Sequence, residues 1–331
     1  MFEREQQIDI FLAAAGWSDA SRVPLAGDAS GRIYQRLARD DQSVVLMDSW
    51  HEDIAPFLHI AQHLERCGFS APKVYTIDSA QRLLLLEDLG DFSFVSCLHA
   101  GAMGDDSVGE MALYSAAVDV LVALAVEALP SSFRVMDGDY LAGEIGLFTE
   151  WWPPQEGAAS PLVAEGESWV AAWRDVYASA LAIPAGLALR DFHAENLIWL
   201  AARKGNRRIG LLDFQDALQA PISYDLVSLL QDVRRDVPEN LQAEMIERFM
   251  TALPDQDHSA FLTSYAILGA HRNLRIAGIF SRLAGRDGNR EYLKFLPRVW
   301  RHIETNLRHP ALAPVQEWLA RHVPAGQREA G

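Results

Sequence analysis

In LRDFHAENLIWL, residues 189–200, Asp191 stands five positions ahead of Asn196, and a second aspartate, Asp213, ends the apolar run of RIGLLDF. A loop aspartate can orient a hydroxyl and accept its proton. An asparagine amide oxygen is a neutral metal ligand, and a carboxylate at a strand end can bridge a divalent ion to phosphate. The three side chains suit transfer of a phosphoryl group from a polyphosphate to a hydroxyl, with hard oxygen donors of the kind Mg²⁺ takes. Singly, each has a plainer explanation: Asp-x4-Asn recurs by chance, and Asp213 could cap a strand. Their order, and the hairpin between them, carry the joint reading.

Elements must hold those residues. NLIWLA and RIGLLDF flank the turn signal ARKGN, which predicts a hairpin able to gather the three side chains. Upstream, RIYQRLAR (32–39) and SVVLMDSW (43–50) flank DDQ, and KVYTID and RLLLLEDL flank SAQ, giving two further strand pairs. A helix is expected from Ile54 to Cys67, where Ile54, Phe57, Leu58, Ala61 and Leu64 share a face and Gly68 is the stop. After Gly90 helical patterns dominate, interrupted at 151–166, and from Tyr224 onward nearly all of the chain reads as helix. The expected organisation is α+β: a small β-rich N-lobe, residues 1–90, joined to a large mainly helical C-lobe, residues 91–331.

Two lobes also suit a chain of 331 residues, which exceeds what one core usually holds. There are 29 basic and 45 acidic residues, a formal charge of −16 spread along the chain, which opposes nucleic acid or an anionic membrane as a general partner. The most apolar long stretch, Ala112–Leu129, carries Asp119 and Glu127 at helical spacing and reads as a core helix, not a membrane span. The N-terminal MFEREQQIDIFLAAAGW lacks a basic leader and reads as an amphipathic helix ending at Gly16. Cys67 and Cys97 have no metal-type spacing. The expectation is a cytoplasmic protein acting on a small molecule, with no protein partner evident.

The motifs GDASGRIYQR, LLLLEDLGD, RDFHAENL, LLDFQDA, YDLVSLLQD and HRNLRIAGIFSRLAGRDGNREYLKFLPRV together resemble the kinase-like phosphotransferases, which include aminoglycoside phosphotransferases and choline kinases. The last two look like the bacterial anomeric kinases of N-acetylmuramate and N-acetylglucosamine, and the likeness runs from about Phe2 to Leu307. It implies a bilobal protein-kinase-like fold, ATP and Mg²⁺ as cofactors, and phosphorylation of an amino sugar at its anomeric hydroxyl, in peptidoglycan recycling. It further implies that Asp191 is the catalytic base and that Asn196 and Asp213 hold the metal. Gly27, Asp28, Ala29, Ser30 and Gly31 would form a phosphate loop, and Glu87, Asp88 and Leu89 a hinge whose backbone meets adenine. An aminoglycoside or a choline-like compound is the alternative acceptor.

Two departures from the family pattern stand out. Leu189 replaces the histidine that opens the catalytic loop, and Met47 stands where protein kinases and aminoglycoside phosphotransferases place a strand lysine. Lys73, Lys204 and Lys294 are the only lysines, so Arg32, ahead of Arg36, is expected to neutralise phosphate, with solvated strand positions as the plain alternative. The missing lysine also leaves a nucleotide-binding pseudokinase open, against which the intact Asp191, Asn196 and Asp213 weigh. Acceptor candidates are His193 and Asp216 by proximity, Glu150 and Trp151 as a carboxylate beside an aromatic, and Arg234, Arg272 and Asn273 as partners for an anionic sugar. Asp225 is expected to brace the catalytic loop.

Overall fold

The computed structural model describes residues 2–25, 31–100, 108–155 and 160–328. In chain order its elements are α1 (Phe2–Ala14), β1 (Ser21–Pro24), β2 (Ile33–Arg39), β3 (Gln42–Asp48), α2 (Ala55–Arg66), β4 (Val74–Asp78), β5 (Leu83–Glu87), α3 (Phe94–Ala100) and α4 (Glu110–Val126). There follow α5 (Gly138–Trp151), α6 (Gly166–Ala180), β6 (Ala185–Ala188), β7 (Leu197–Trp199), β8 (Ile209–Leu211), β9 (Leu218–Pro221), α7 (Tyr224–Leu230), α8 (Glu239–Ala252), α9 (His258–Asp287), α10 (Leu296–Asn306) and α11 (Ala313–His322). The chain divides into a first unit, Met1–Ala116 with Ala194–Asp216, and a second, Ala117–His193 with Ala217–Gly331.

This division differs from the expected boundary at residue 90, which marked only a change in composition. The chain leaves the first unit inside α4 and returns to it for the β7–β8 hairpin. Backbone pairing explains the return: Gly210 bridges Ser70, Ile198 bridges Ser93, and the Trp199 N–H donates to the Phe92 carbonyl at 2.7 Å.

The first unit is built on an antiparallel sheet ordered β1-β2-β3-β5-β4. Its two hairpins are the two expected upstream strand pairs, with Met47 opposite both Tyr34 and Leu84. The four leucines of β5 are all buried, as a central strand covered on both faces requires. Leu83 and Leu85 join Leu37, Val44 and Leu46 against Ile8, Phe11 and Leu12 of α1. Strand β1 escaped the sequence reading because it is a four-residue, largely exposed edge ending in proline.

The second unit is helical. Its core joins α5, α6, α9, α10 and α11 around Trp152, Trp169, Trp173, Trp300 and Trp318. The long α9 is fixed at both ends: the Asp257 side chain accepts from the Ala260 N–H, and Gly288 closes it at φ +67°. Helices α5 and α9 approach so closely that a Cβ on Gly278 would stand 2.5 Å from the Leu147 carbonyl oxygen, so only glycine fits there. The β6–β9 pair, four residues each, gave no alternating pattern long enough to read from sequence. Among the described residues, no helix is long and apolar enough to cross a membrane.

Candidate active site

Asp191 belongs to the second unit, where β6 runs out into Leu189 and Arg190. The buried Asp225, second residue of α7, accepts the Leu189 N–H at 2.5 Å on Oδ2 and the Arg190 N–H at 3.0 Å on Oδ1. Ser228 Oγ donates to the Arg190 carbonyl at 2.9 Å. Arg190 itself sits at φ +72°, a conformation that costs a side-chain-bearing residue about 1–2 kcal/mol and needs ties to hold it. Its guanidinium supplies another, reaching Glu144 of α5 at 2.6 Å. Glu144 also takes the Tyr140 hydroxyl at 3.0 Å and the Arg275 guanidinium at 3.1 Å.

The residue before Asp191 is thus held through its backbone on one side and its side chain on another. Burial pushes the Asp225 carboxyl up to about 7; the Leu189 and Arg190 N–H groups pull it down, nearby Asp191 raises it, and Arg272 lowers it. Leu189, 2% exposed, gives its side chain to the core, so the brace passes through its backbone instead. Past the aspartate, the His193 N–H donates to the Asp191 carbonyl at 3.0 Å, and Arg234 Nη1 lies 3.3 Å from His193 Nε2.

Asn196 and Asp213 belong to the first unit, on the β7–β8 hairpin. The Leu212 N–H donates to the Asn196 carbonyl at 3.0 Å, which sets Asn196 beside the residue preceding Asp213. Asp213 is exposed, at φ +54°, and its Oδ1 accepts from Gln215 Nε2 at 2.7 Å. Next to it Phe214 is buried and stacks on Phe57 of α2 at 5.0 Å, which pins the turn. One amide oxygen and one carboxylate are hard donors that fit Mg²⁺, an ion that usually takes its other oxygens from phosphate and water. Among the described residues no group of three or more His, Cys, Asp or Glu side chains forms a closed metal cage.

Arg32 is 7% exposed and pairs with Glu52 at 3.1 Å; the other Glu52 oxygen accepts the Gly31 N–H at 2.8 Å. Burial pushes the Tyr34 hydroxyl up to about 12, while Arg32, hydrogen-bonded to it, pulls down and Asp213 pushes up. Arg32, Tyr34 and Asp213 therefore share one neighbourhood. Arg36 is committed elsewhere: it forms a fork on Asp88 at 2.7 and 3.0 Å and reaches Asp91 at 2.9 Å. Burial alone would raise the Asp88 carboxyl, but Arg36 and the Gly90 N–H bring it below the usual range. Glu87 takes Arg203 at 2.6 Å, and Leu89 packs where a Cβ on Gly210 would stand, 2.9 Å from its Cδ1. Gly27, Asp28, Ala29 and Ser30 lie outside the described residues.

The acceptor candidates are scattered. Asn273 is fully buried and donates to Gln231 Oε1 at 2.9 Å and to the Gly269 carbonyl at 2.8 Å, in an amide network that includes Asn306. Glu150 is exposed and Trp151 half-buried at the end of α5, where the Trp151 ring lies 3.8 Å from a Cβ built on Gly285. Gly285 follows Arg272 on α9 by 13 residues, about 20 Å along the helix axis. The structure thus separates Glu150 and Trp151 from Arg272 and Asn273. Asp216 is exposed, three positions after Asp213. Sequence reasoning missed Tyr34, Glu52 and Glu144. Only Glu144 left a signal, as an acidic residue on the helix that buries Leu141, Ile145 and Phe148.

Residues 21–262 match the phosphotransferase enzyme family. The chain is 37% identical to the N-acetylmuramate/N-acetylglucosamine kinase of Caulobacter vibrioides, over 98% of each chain. It is 31% identical to the enzyme of the same name from Pseudomonas aeruginosa, over 96% of each. Its fold is similar to that of a choline/ethanolamine kinase family protein from Mesorhizobium loti, with a TM-score of 0.63 at 15% identity, covering 95% of this chain and 99% of that one. The α+β, protein-kinase-like fold expected from sequence, a small antiparallel sheet unit and a larger helical one, is the fold observed. A match that begins at β1 and extends into α9, joined to full-length relatives above 30% identity, places the chain in the phosphotransferase enzyme family.

Proposed function

We propose that this chain is an ATP- and Mg²⁺-dependent kinase that phosphorylates the anomeric hydroxyl of N-acetylmuramate and/or N-acetylglucosamine. The observation that carries the reading is full-length similarity to kinases named for those two sugars, at 37% identity to the first. The braced Asp191 loop supports it, because a base that must meet a sugar hydroxyl has to be oriented before the sugar arrives.

Asp191 would orient the hydroxyl and take its proton as the sugar oxygen bonds to the γ-phosphorus and the bond from that phosphorus to the ADP oxygen breaks, ADP leaving. Asn196 and Asp213 would hold Mg²⁺, which when bound neutralises charge on the polyphosphate. Arg32, fixed by Glu52 beside Asp213, would stand in for the absent strand lysine, and Gly31 with the preceding residues would cradle phosphate. The backbone of Glu87, Asp88 and Leu89 would meet adenine. The sugar 1-phosphate formed could enter nucleotide-sugar synthesis, as peptidoglycan recycling in the cytoplasm requires. Incubation with Mg·ATP and each sugar, followed by phosphorus NMR, tests this. A sugar 1-phosphate is expected; ATP binding without any phosphorylated sugar would turn the assignment to another acceptor or to a pseudokinase.

A further inference from the structure

Arg272 lies on α9 in the second unit and is 5% exposed. Among the described residues its fully buried Nη1 has no hydrogen-bond partner, and no carboxylate comes within ion-pairing distance of its guanidinium. Three other arginines of this unit have carboxylate partners, Arg190 and Arg275 on Glu144 and Arg298 forked onto Asp236, whereas Arg282, further along α9 and less buried, also has an Nε without a hydrogen-bond partner. A guanidinium taken out of water without a counter-charge is costly, and proteins keep one where an anion completes it.

The place of this cation connects it to the reaction. Asp225 feels both Arg272 and Asp191, yet its two oxygens are engaged by the Leu189 and Arg190 N–H groups. Two residues after Asp191 in the chain, His193 Nε2 lies 3.3 Å from the guanidinium of Arg234. His302, which bonds the Asp232 backbone and feels Arg272, brings no negative charge. Two guanidinium groups therefore accompany the Asp191 loop, and the buried one has an unfilled fork. A fork of this shape matches the two oxygens of a carboxylate. N-acetylmuramate carries a lactyl carboxylate; N-acetylglucosamine carries none.

We propose that Arg272 is the carboxylate-recognising group of the acceptor site, supported by Arg234, and that it makes the anionic sugar the preferred acceptor. The assignment rests on the reading of the chain as an amino-sugar kinase. A second anionic group, the phosphoryl in transfer, is also negatively charged but is common to both sugars, so comparing the two sugars separates the sources.

The test measures kcat/KM for both sugars with wild type, Arg272→Met and Arg272→Lys, alongside thermal melting. Arg272→Met is expected to lower kcat/KM for N-acetylmuramate about 100-fold, at least tenfold more than for N-acetylglucosamine, because a polar site left without its partner discriminates strongly. If Arg272→Met does not melt cooperatively, Arg272→Lys decides: it keeps the charge but loses the fork, and should raise KM for N-acetylmuramate alone. Equal losses on both sugars overturn the assignment and move Arg272 to the phosphoryl group or to the fold. A wild type that phosphorylates neither sugar removes the functional reading, and this assignment with it.

Discussion

Asp191 and Asp213 both stand at left-handed backbone, one just after Arg190 at φ +72° and the other itself at φ +54°, yet the protein holds them differently. The Asp191 loop is tied from behind by buried groups: Asp225 on two N–H donors, Ser228 on a carbonyl, and Glu144 on the Arg190 side chain. Asp213 projects from a short hairpin, exposed, with its oxygen on the neighbouring Gln215. The contrast suits the two roles proposed for these residues. A base must be aimed before its substrate arrives, whereas a metal ligand must stay open to a hydrated ion that brings most of its own oxygens.

That comparison can be broken at either end. Apart from loss of Asp191 itself, the largest effect should come at the open end. Asp213→Asn is expected to lower kcat by about 100-fold or more and to raise the Mg²⁺ concentration for half-maximal rate. An unchanged Mg²⁺ requirement would take Asp213 out of the metal site.

At the anchored end, Asp225→Ala leaves the Leu189 and Arg190 N–H groups buried without their acceptor. A loss of about 2–4 kcal/mol in urea unfolding is expected. Unaltered stability would mean that the brace is not what holds the loop.

His271 lies behind the same network, donating from Nε2 to the Leu141 carbonyl at 3.1 Å, and burial pushes its imidazole down to about 4 despite nearby Glu144. As pH falls the unfolded chain protonates first, from about 6.5. This contribution to stability is therefore complete above about pH 6.5 and is lost as pH drops towards 4, reaching on the order of 2 kcal/mol at pH 5. His271→Gln should flatten the change in melting temperature between pH 7 and 5; an unchanged slope would show that other groups govern it.

The smallest effect sharpens the comparison most. Glu144→Gln keeps an acceptor for Tyr140 but removes the charge shared by Arg190 and Arg275. A fall in kcat of about tenfold with the KM for ATP unchanged is expected, because a loosened base misorients the acceptor without touching nucleotide. A rise in the KM for ATP instead would assign Glu144 to the fold at large.

Much of the sheet was legible because its signals are local. DDQ and SAQ each separate two β-like runs, and the chain turns at both. Asp191, Asn196 and Asp213 were legible as a spacing. The partners of those residues were not, because they come from far along the chain: Glu144 meets Arg190 across 46 residues, and Arg36 meets Asp88 across 52. Nothing in RIYQR separates Arg36, spent on Asp88 and Asp91, from Arg32, set beside Asp213. Burial decided such cases, and it is a property of the packed chain.

The most direct test is a single-turnover transfer of the γ-phosphoryl group from ATP to N-acetylglucosamine, by wild type and by Asp191→Asn, with ADP affinity measured on the same samples. Loss of the base predicts a rate about 1,000-fold lower at unchanged ADP affinity. Transfer by Asp191→Asn within a few-fold of wild type would contradict the account.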